Sequence, residues 1–396
     1  MPARSPGRRA RRQGNLAEDV MTAFRKRPAI RRTALSLGLV MALLLFVNAH
    51  CLADQSKSTH ELKVFPAPSS ATETLLIHGT ADVVAMGPVI EGFQREHPEV
   101  EVRYRLYETV PLYQEALTEV DDKPAADLLI SSAMDLQVKL ANDGHVQKAA
   151  ITARGLPDWA IWRDEIFGFT LEPAVIVYNK DAIERSEVPK SHQDLIRLLE
   201  VSPERFRRKI ATYDIDVSGV GYLFATTESM LSANFWRLAH ALGLAEARLY
   251  CCTQDMLDSL SRGDAVIAYD VLGSYALRQA EVQRNLAIVL PEDYVVAVSR
   301  TIVIPRKAEH AALARTFVEY TLSEAGQAVV SDAFGLSIAG LGADREQMKA
   351  RYLSEKPGVL NFPTLGLPAL TYLDGVKREQ FVKTWQRIVT PQSGAP

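Results

Sequence analysis

The feature that most constrains this 396-residue chain is an alternation of strand-like and helix-like segments that occurs twice. The first series opens with Leu75-Leu76-Ile77-His78-Gly79, a short apolar run ending in glycine that reads as a buried strand. A helix over Val84–His97 follows. Val89, Ile90 and Phe93 lie on one face, Pro98 stops it, and Pro88 is tolerated only in its first turn. Glu99–Arg105 alternates strictly and predicts a strand. After it come a helix over about 110–120, the strand Asp127–Ser131, and a helix from Ala133 that closes at Asn142-Asp143-Gly144. The second series runs through Lys209–Tyr213, helices to Leu242-Gly243, Arg248–Cys252, a helix over Gln254–Arg262 and the strand Ala265–Tyr269. Strand–helix–strand order of this kind builds open parallel α/β sheets.

Two apolar extended segments separate the series, Phe167–Tyr178 and Tyr294–Ile304, and the second is long for one strand. They fit crossings between two lobes. The expected fold is therefore α/β and two-lobed, each lobe an open, mostly parallel sheet flanked by helices, joined by two crossing strands. Residues 74–170 with 304–396 are assigned to lobe one and 171–303 to lobe two, leaving a cleft backed by a hinge. Ser191 and Asp194 form a capping box for the helix that carries Leu195, Leu198 and Leu199. Trp159 and Trp162, three apart, read as a packed helix face.

The N-terminus differs from the rest. Residues 1–53 hold ten Lys or Arg against Glu18 and Asp19, which leaves 35 basic and 46 acidic residues beyond them, a net charge of −11. An acidic body with no basic stripe excludes nucleic acid as the expected partner. The basic segment leads into the uncharged run Ala34–Val47 and then Cys51-Leu52-Ala53, the pattern of a secretory signal peptide cleaved before Asp54. An uncleaved membrane anchor is the alternative, although the run is shorter than the roughly 20 apolar residues a span needs. Met21 reads as an ordinary start inside the segment, and His50 argues against lipid attachment at Cys51. Residues 54–73 read as a flexible lead-in, and the expected location of the mature chain is the periplasm. Beyond residue 53 the cysteines are Cys251 and Cys252, which read as small hydrophobes in a buried strand, because adjacent cysteines seldom bridge.

Four stretches carry a family resemblance: Ala126–Leu140, Glu172–Lys180, Tyr213–Gly221 and Asp264–Tyr275. In this order they resemble the type 2 periplasmic solute-binding proteins of bacterial ABC transporters. The nearest branch is the one holding the ferric-iron binders and the phosphoglycerate-transport regulatory protein. The resemblance spans roughly residues 74–340. It implies two α/β lobes closing on a small solute, which is delivered to a membrane permease or, in the alternative, reported to a membrane sensor of a two-component signalling system. It implies no enzyme activity and no cofactor.

In such a cleft the ligand meets the C-terminal ends of strands and the N-termini of the helices that follow, where unpaired N–H groups and the helix dipole favour anions. Three segments fit that role: Gly79-Thr80-Ala81-Asp82, Ser131 with Ser132, and Ser218-Gly219-Val220-Gly221. Each also fits plain capping or turn chemistry. Arg300, on the return crossing, is the basic residue expected at the cleft; a surface strand position is the alternative. Glu172, Asp214 and Asp216 also lie on the motifs; carboxylates there repel an anion unless they accept from ligand hydroxyls or an amine. The iron-binding relatives carry two adjacent tyrosines where this chain has Ser274-Tyr275, so a ferric site would have to use Tyr275 with Tyr269, which as the last residue of its strand also fits a place in the core. The expected ligand is therefore a small oxyanion, such as a phosphorylated three-carbon acid, ahead of ferric iron. A zinc-protease His-Glu-x-x-His, a Gly-x-Ser-x-Gly elbow and a complete phosphate loop are all missing from the sequence.

Overall fold

The computed structural model describes residues 61–118, 126–151, 157–335, 338, 350–352, 356–362 and 365–390. The expected signal segment 1–53 lies outside them. Among the described residues no helix is long and apolar enough to cross a membrane.

The described strands form two sheets. The first runs in the order β1 (Leu62–Phe65), β3 (Val100–Leu106), β2 (Glu73–Gly79), β4 (Leu128–Ser131), β14 (Thr301–Pro305), β7 (Ile166–Gly168) and β6 (Ile161–Trp162), with β5 (Val146–Gln147) also on β14. The second runs β10 (Arg248–Tyr250), β9 (Ile210–Tyr213), β11 (Ile267–Leu272), β8 (Glu172–Asn179), β13 (Tyr294–Val298) and β15 (Val359–Asn361), with β12 (Leu286–Val289) on β8. The parallel pairings β2–β3, β2–β4, β9–β10 and β9–β11 are those that the two alternating series predict. Helices pack on both, so Leu75, Ile77, Val102 and Ile130 of the first sheet and Ile176, Ile210 and Ile267 of the second are fully buried. Each such side chain is worth about 1.5–3 kcal/mol relative to exposure.

The crossings are visible as register. β7 leads to β8 and β13 leads to β14, with Val298 opposite Glu172 and Thr301 opposite Gly168. The long run Tyr294–Ile304 is therefore two strands in two sheets, divided at Ser299-Arg300. The helix Val83–Glu96 carries Pro88 in its second turn rather than its first. The carbonyl that proline leaves without its helical donor is that of Val84, itself a highly exposed residue.

Several expectations need correction. Part of the lead-in 54–73 is ordered: Leu62–Phe65 pairs antiparallel with β3 and covers that sheet edge. The C-terminal part of 304–396 packs with the second sheet, not the first. Val359–Asn361 pairs with β13, and the helix Gly375–Val389 buries Phe381, Trp385 and Val389 at i, i+4 spacing against Phe235, Leu238 and Leu242. Trp159 and Trp162 do not share a helix face. Trp159 stacks on Phe362 with ring centroids 4.9 Å apart, while Trp162 lies on β6 under the guanidinium of Arg163.

The second sheet also buries an ionic cluster that the sequence does not announce. Half of the expected capping box forms: Ser191 Oγ accepts from the Asp194 N–H at 3.1 Å, while the Asp194 carboxylate accepts from the Lys190 N–H at 3.2 Å. The residue after Ser191, His192, points inward between Asp293 at 2.8 Å and Glu228 at 3.2 Å, its ring stacked on Tyr294 at 4.0 Å. Burial disfavours its charged form, but the hydrogen bonds and charges of Asp293 and Glu228 outweigh that and lift the imidazole to about 10. A raised folded-state pKa stabilises fully below the ordinary value near 6.5 and is lost as pH rises through about 10. The melting-temperature difference between wild type and His192→Gln should therefore be largest at pH 6 and shrink steadily toward pH 10. A difference that is flat across that range would show that His192 is buried neutral.

Candidate functional site

Six helices begin at one cavity of about 60 Å³. Among the described residues its wall takes Asp82, Glu108, Ser218, Cys252 and Leu272, which are the N-cap residues of helices Val83–Glu96, Thr109–Leu117, Gly219–Leu231, Thr253–Ser261 and Gly273–Val282. Ser132 adds the start of the sixth helix, Met134–Asn142. Each follows the C-terminal end of a strand or the short turn after it, and elements of both series contribute. Every one of these ends directs the positive pole of its dipole to the same space.

The floor is Arg300, which is fully buried and lines the cavity. Its Nε lies 2.6 Å from Glu172 Oε1, an ion pair without hydrogen-bond alignment, and among the described residues Nη1 and Nη2 have no acceptor. Its backbone is fixed by both crossings: the Arg300 N–H donates to Thr170 Oγ1 at 2.8 Å, and the Phe169 N–H donates to the Arg300 carbonyl at 3.0 Å. Thr170 Oγ1 and Ser274 Oγ both donate to Glu172, which consumes that carboxylate. The guanidinium lies 5.6 Å from the Tyr275 ring and 5.3 Å from the Phe334 ring. What faces the cavity is an immobilised cation with unused donors.

Contacts across the cavity join the two series. The Gly219 N–H donates to Thr109 Oγ1 at 2.8 Å and the Asp82 N–H to the Tyr275 hydroxyl at 3.2 Å. A Cβ on Gly219 would stand 3.0 Å from Leu136 Cδ1, so only glycine allows this approach without a shift.

Of the residues expected at the site, Thr80, Ser132, Ser218, Val220, Tyr275 and Arg300 line the cavity. Gly79 lies behind Thr80, where a Cβ would collide with the Tyr104 ring. Ser131 Oγ accepts from the Ala133 N–H, so its hydroxyl caps a turn. Gly219 and Gly221 donate to Thr109 and Ser218, which is closure and capping rather than contact with a solute. Glu172 and Ser274 belong to the pair behind Arg300. Asp214 accepts from the Asp216 N–H in a local turn away from the cavity wall. Tyr269 is a correction: it lies in the core of the second sheet with its hydroxyl on Glu228, and burial pushes its phenol far up. It is not among the residues that line this cavity, whereas Tyr275 is.

Cys251 and Cys252 are a second correction. The strand stops at Tyr250, and the two sulfurs are joined in a disulfide on the cavity wall, both residues partly exposed. The apolar pattern of Arg248–Cys252 simply outlasts the strand, because Cys252 is already the cap of the next helix. Their sulfurs and a Glu108 carboxylate oxygen lie within 4.8 Å of one another, yet sulfurs shared in a disulfide offer no thiolate to a metal. Asp82, the last residue of the first expected segment, lines the cavity as well, whereas sequence reasoning missed Tyr107, Glu108, Thr109, Thr253, Gln254 and Leu272. The same strand-end rule finds most of them once it is applied to every strand rather than to three.

A family model described as bacterial extracellular solute-binding protein matches residues 123–357. Among solved structures, a substrate-binding protein of an ABC transporter from Agrobacterium tumefaciens is 33% identical, with 83% of this chain and 98% of that one covered at a TM-score of 0.77. AfuA from Actinobacillus pleuropneumoniae, solved with fructose-6-phosphate bound, is 14% identical with 81% and 99% covered at 0.63. Iron-bound HitA from Pseudomonas aeruginosa is 17% identical with 80% and 99% covered at 0.61. A comparison with curated proteins finds no match.

The buried pair gives a stability prediction. Arg300→Met strands Glu172 without its counter-ion and should cost about 3–5 kcal/mol in urea unfolding, whereas Arg300→Met with Glu172→Leu should recover most of it. A single variant as stable as the wild type would show that the pair contributes nothing to stability.

Proposed function

The chain belongs to the family of bacterial extracellular solute-binding proteins; from that premise we propose that it is the receptor of an ABC-type uptake system, binding a small oxyanion in the cavity above Arg300. The observation that carries the ligand class is the buried Arg300 guanidinium with two unused nitrogens, ringed by six helix N-termini. A carboxylate or phosphate accepts from a guanidinium in the bidentate fork that Nη1 and Nη2 present. Ser132 and Thr80 supply hydroxyls beside it, and the Tyr275 phenol, kept protonated by burial, is a neutral partner.

The volume supports a ligand of organic-acid scale, since about 60 Å³ admits a handful of water-sized groups. Relatives of this fold bind iron in one case and fructose-6-phosphate in another, so the ligand has to be argued from this chain's residues. They favour the oxyanion over iron, because Tyr269 lies in the core and Arg300 would repel a trivalent cation. The basic and apolar segment 1–53 supports export to the periplasm. In this reading the receptor delivers its solute to a membrane permease and performs no catalysis.

The test is a thermal-shift series on mature protein that has been unfolded and refolded to remove carried ligand, with phosphate, phosphoglycerates, small carboxylates and ferric citrate. An oxyanion present at 100 times its dissociation constant should stabilise the fold by about 2.7 kcal/mol. The Arg300→Met/Glu172→Leu protein should melt cooperatively and show no such shift. A coloured ferric complex without any response to oxyanions would overturn the reading.

A further inference from the structure

The cavity that holds Arg300 also has an acidic side. Asp82 and Glu108 line it from the first series, and neither carboxylate makes the side-chain cap that its N-cap position allows. They are therefore not explained as helix caps. Asp82 has Arg278 at 3.9 Å, beyond hydrogen-bond reach, with that guanidinium lying over the Tyr275 ring at 4.8 Å. Glu108 is less provided for. Its carboxylate faces the Cys251–Cys252 disulfide, within 4.8 Å of both sulfurs, and the charges acting on it are those of Asp255 and Asp82.

Two carboxylates and an underused guanidinium on the wall of one cavity describe a dipolar ligand. We propose that the solute is a small zwitterion, with its oxyanion on Arg300 and a primary ammonium between Asp82 and Glu108, its short carbon chain lying along the disulfide. The proposal rests on the oxyanion reading and narrows it. A plain dianion, such as a phosphorylated three-carbon acid, would set a second negative group against Asp82 and Glu108 and be repelled. An ammonium satisfies both carboxylates through its three donors, and the eight-membered ring of the disulfide offers a rigid, uncharged face to methylene groups. Partial desolvation and the two neighbouring carboxylates raise the Glu108 carboxyl, as expected of an anion that lacks a counter-ion, although its exposed edge screens part of that effect.

The experiment is a competition between isosteres, read by calorimetry on the ligand-free protein. O-phosphoethanolamine should bind at least 10-fold more tightly than ethyl phosphate, which keeps the oxyanion and drops the ammonium, and 3-phosphoglycerate should bind more weakly than either. β-Alanine against propionate provides the same comparison for a carboxylate head. In Glu108→Gln, and more completely in Asp82→Asn/Glu108→Gln, the preference within each pair should collapse toward 1. Glu108 is exposed, so the single variant folds independently of the result. Equal affinities within the pairs, or a preference for 3-phosphoglycerate, would overturn the zwitterion while leaving the oxyanion reading standing. Binding by none of the five compounds would remove both. A preference abolished by EDTA would assign the acidic side to a divalent cation instead.

Discussion

A guanidinium and a carboxylate, each sealed from solvent, meet where the chain passes between its two sheets. Glu172 stands on the outward crossing and Arg300 on the return. Taking two such charges out of water costs several kcal/mol each, and their attraction offsets this only when neighbouring groups hold the geometry. Here they do: Thr170, Ser274 and the backbone of Phe169 fix one partner or the other. A packed apolar pair would serve stability as well. The charged pair also delivers a cation to the floor of the cavity, with Glu172 satisfied from behind and the far nitrogens of Arg300 left without acceptors. The hinge and the floor of the binding site are thus a single ionic unit.

The remaining electrostatics follow from topology. Open α/β sheets place helix N-termini at the carboxyl ends of their strands, and two such sheets facing each other double the number. Six positive helix ends around a small cavity would make it strongly anion-selective if nothing opposed them. Asp82 and Glu108, at two of those ends, oppose them. The cavity wall therefore carries charges of both signs, Asp82 and Glu108 with Arg300, in a protein whose net charge reports neither.

The elements built on local pattern were legible in the sequence: the alternating strand Val100–Leu106, the Ser191 cap and the helices closing at glycine or proline all stand where periodicity puts them. Arg300 stands out in the sequence as a basic residue in an apolar crossing, a pattern that fits a surface strand position as well as a cavity. What escaped depends on contacts distant in sequence. Nothing local says that Phe381 and Trp385 cover the second sheet, or that Glu172 belongs to Arg300 and not to a solute. Tyr269 and Tyr275 are close in sequence, but the strand-to-helix change between them sends one into the core and the other to the cavity. The adjacent cysteines misled because an apolar run does not announce where its strand ends. Half the cavity wall was missed because only three strand ends were judged by composition, while Glu108 and Gln254 do not resemble a phosphate-binding loop.

The segment that looked most like an anion loop has a different task. Ser218-Gly219-Val220-Gly221 opens a helix, but its Gly221 N–H is returned to Ser218 and its Gly219 N–H is given to Thr109 across the cavity. That second bond joins the two series and needs a position without a Cβ, which accounts for the glycine. Exchanging such a bond for water changes the free energy by only about 0.5–1.5 kcal/mol. A contact of this size positions two lobes without locking them. In the proposed reading a solute on Arg300 adds to such contacts, and it biases closure only by its differential affinity for the open and closed states.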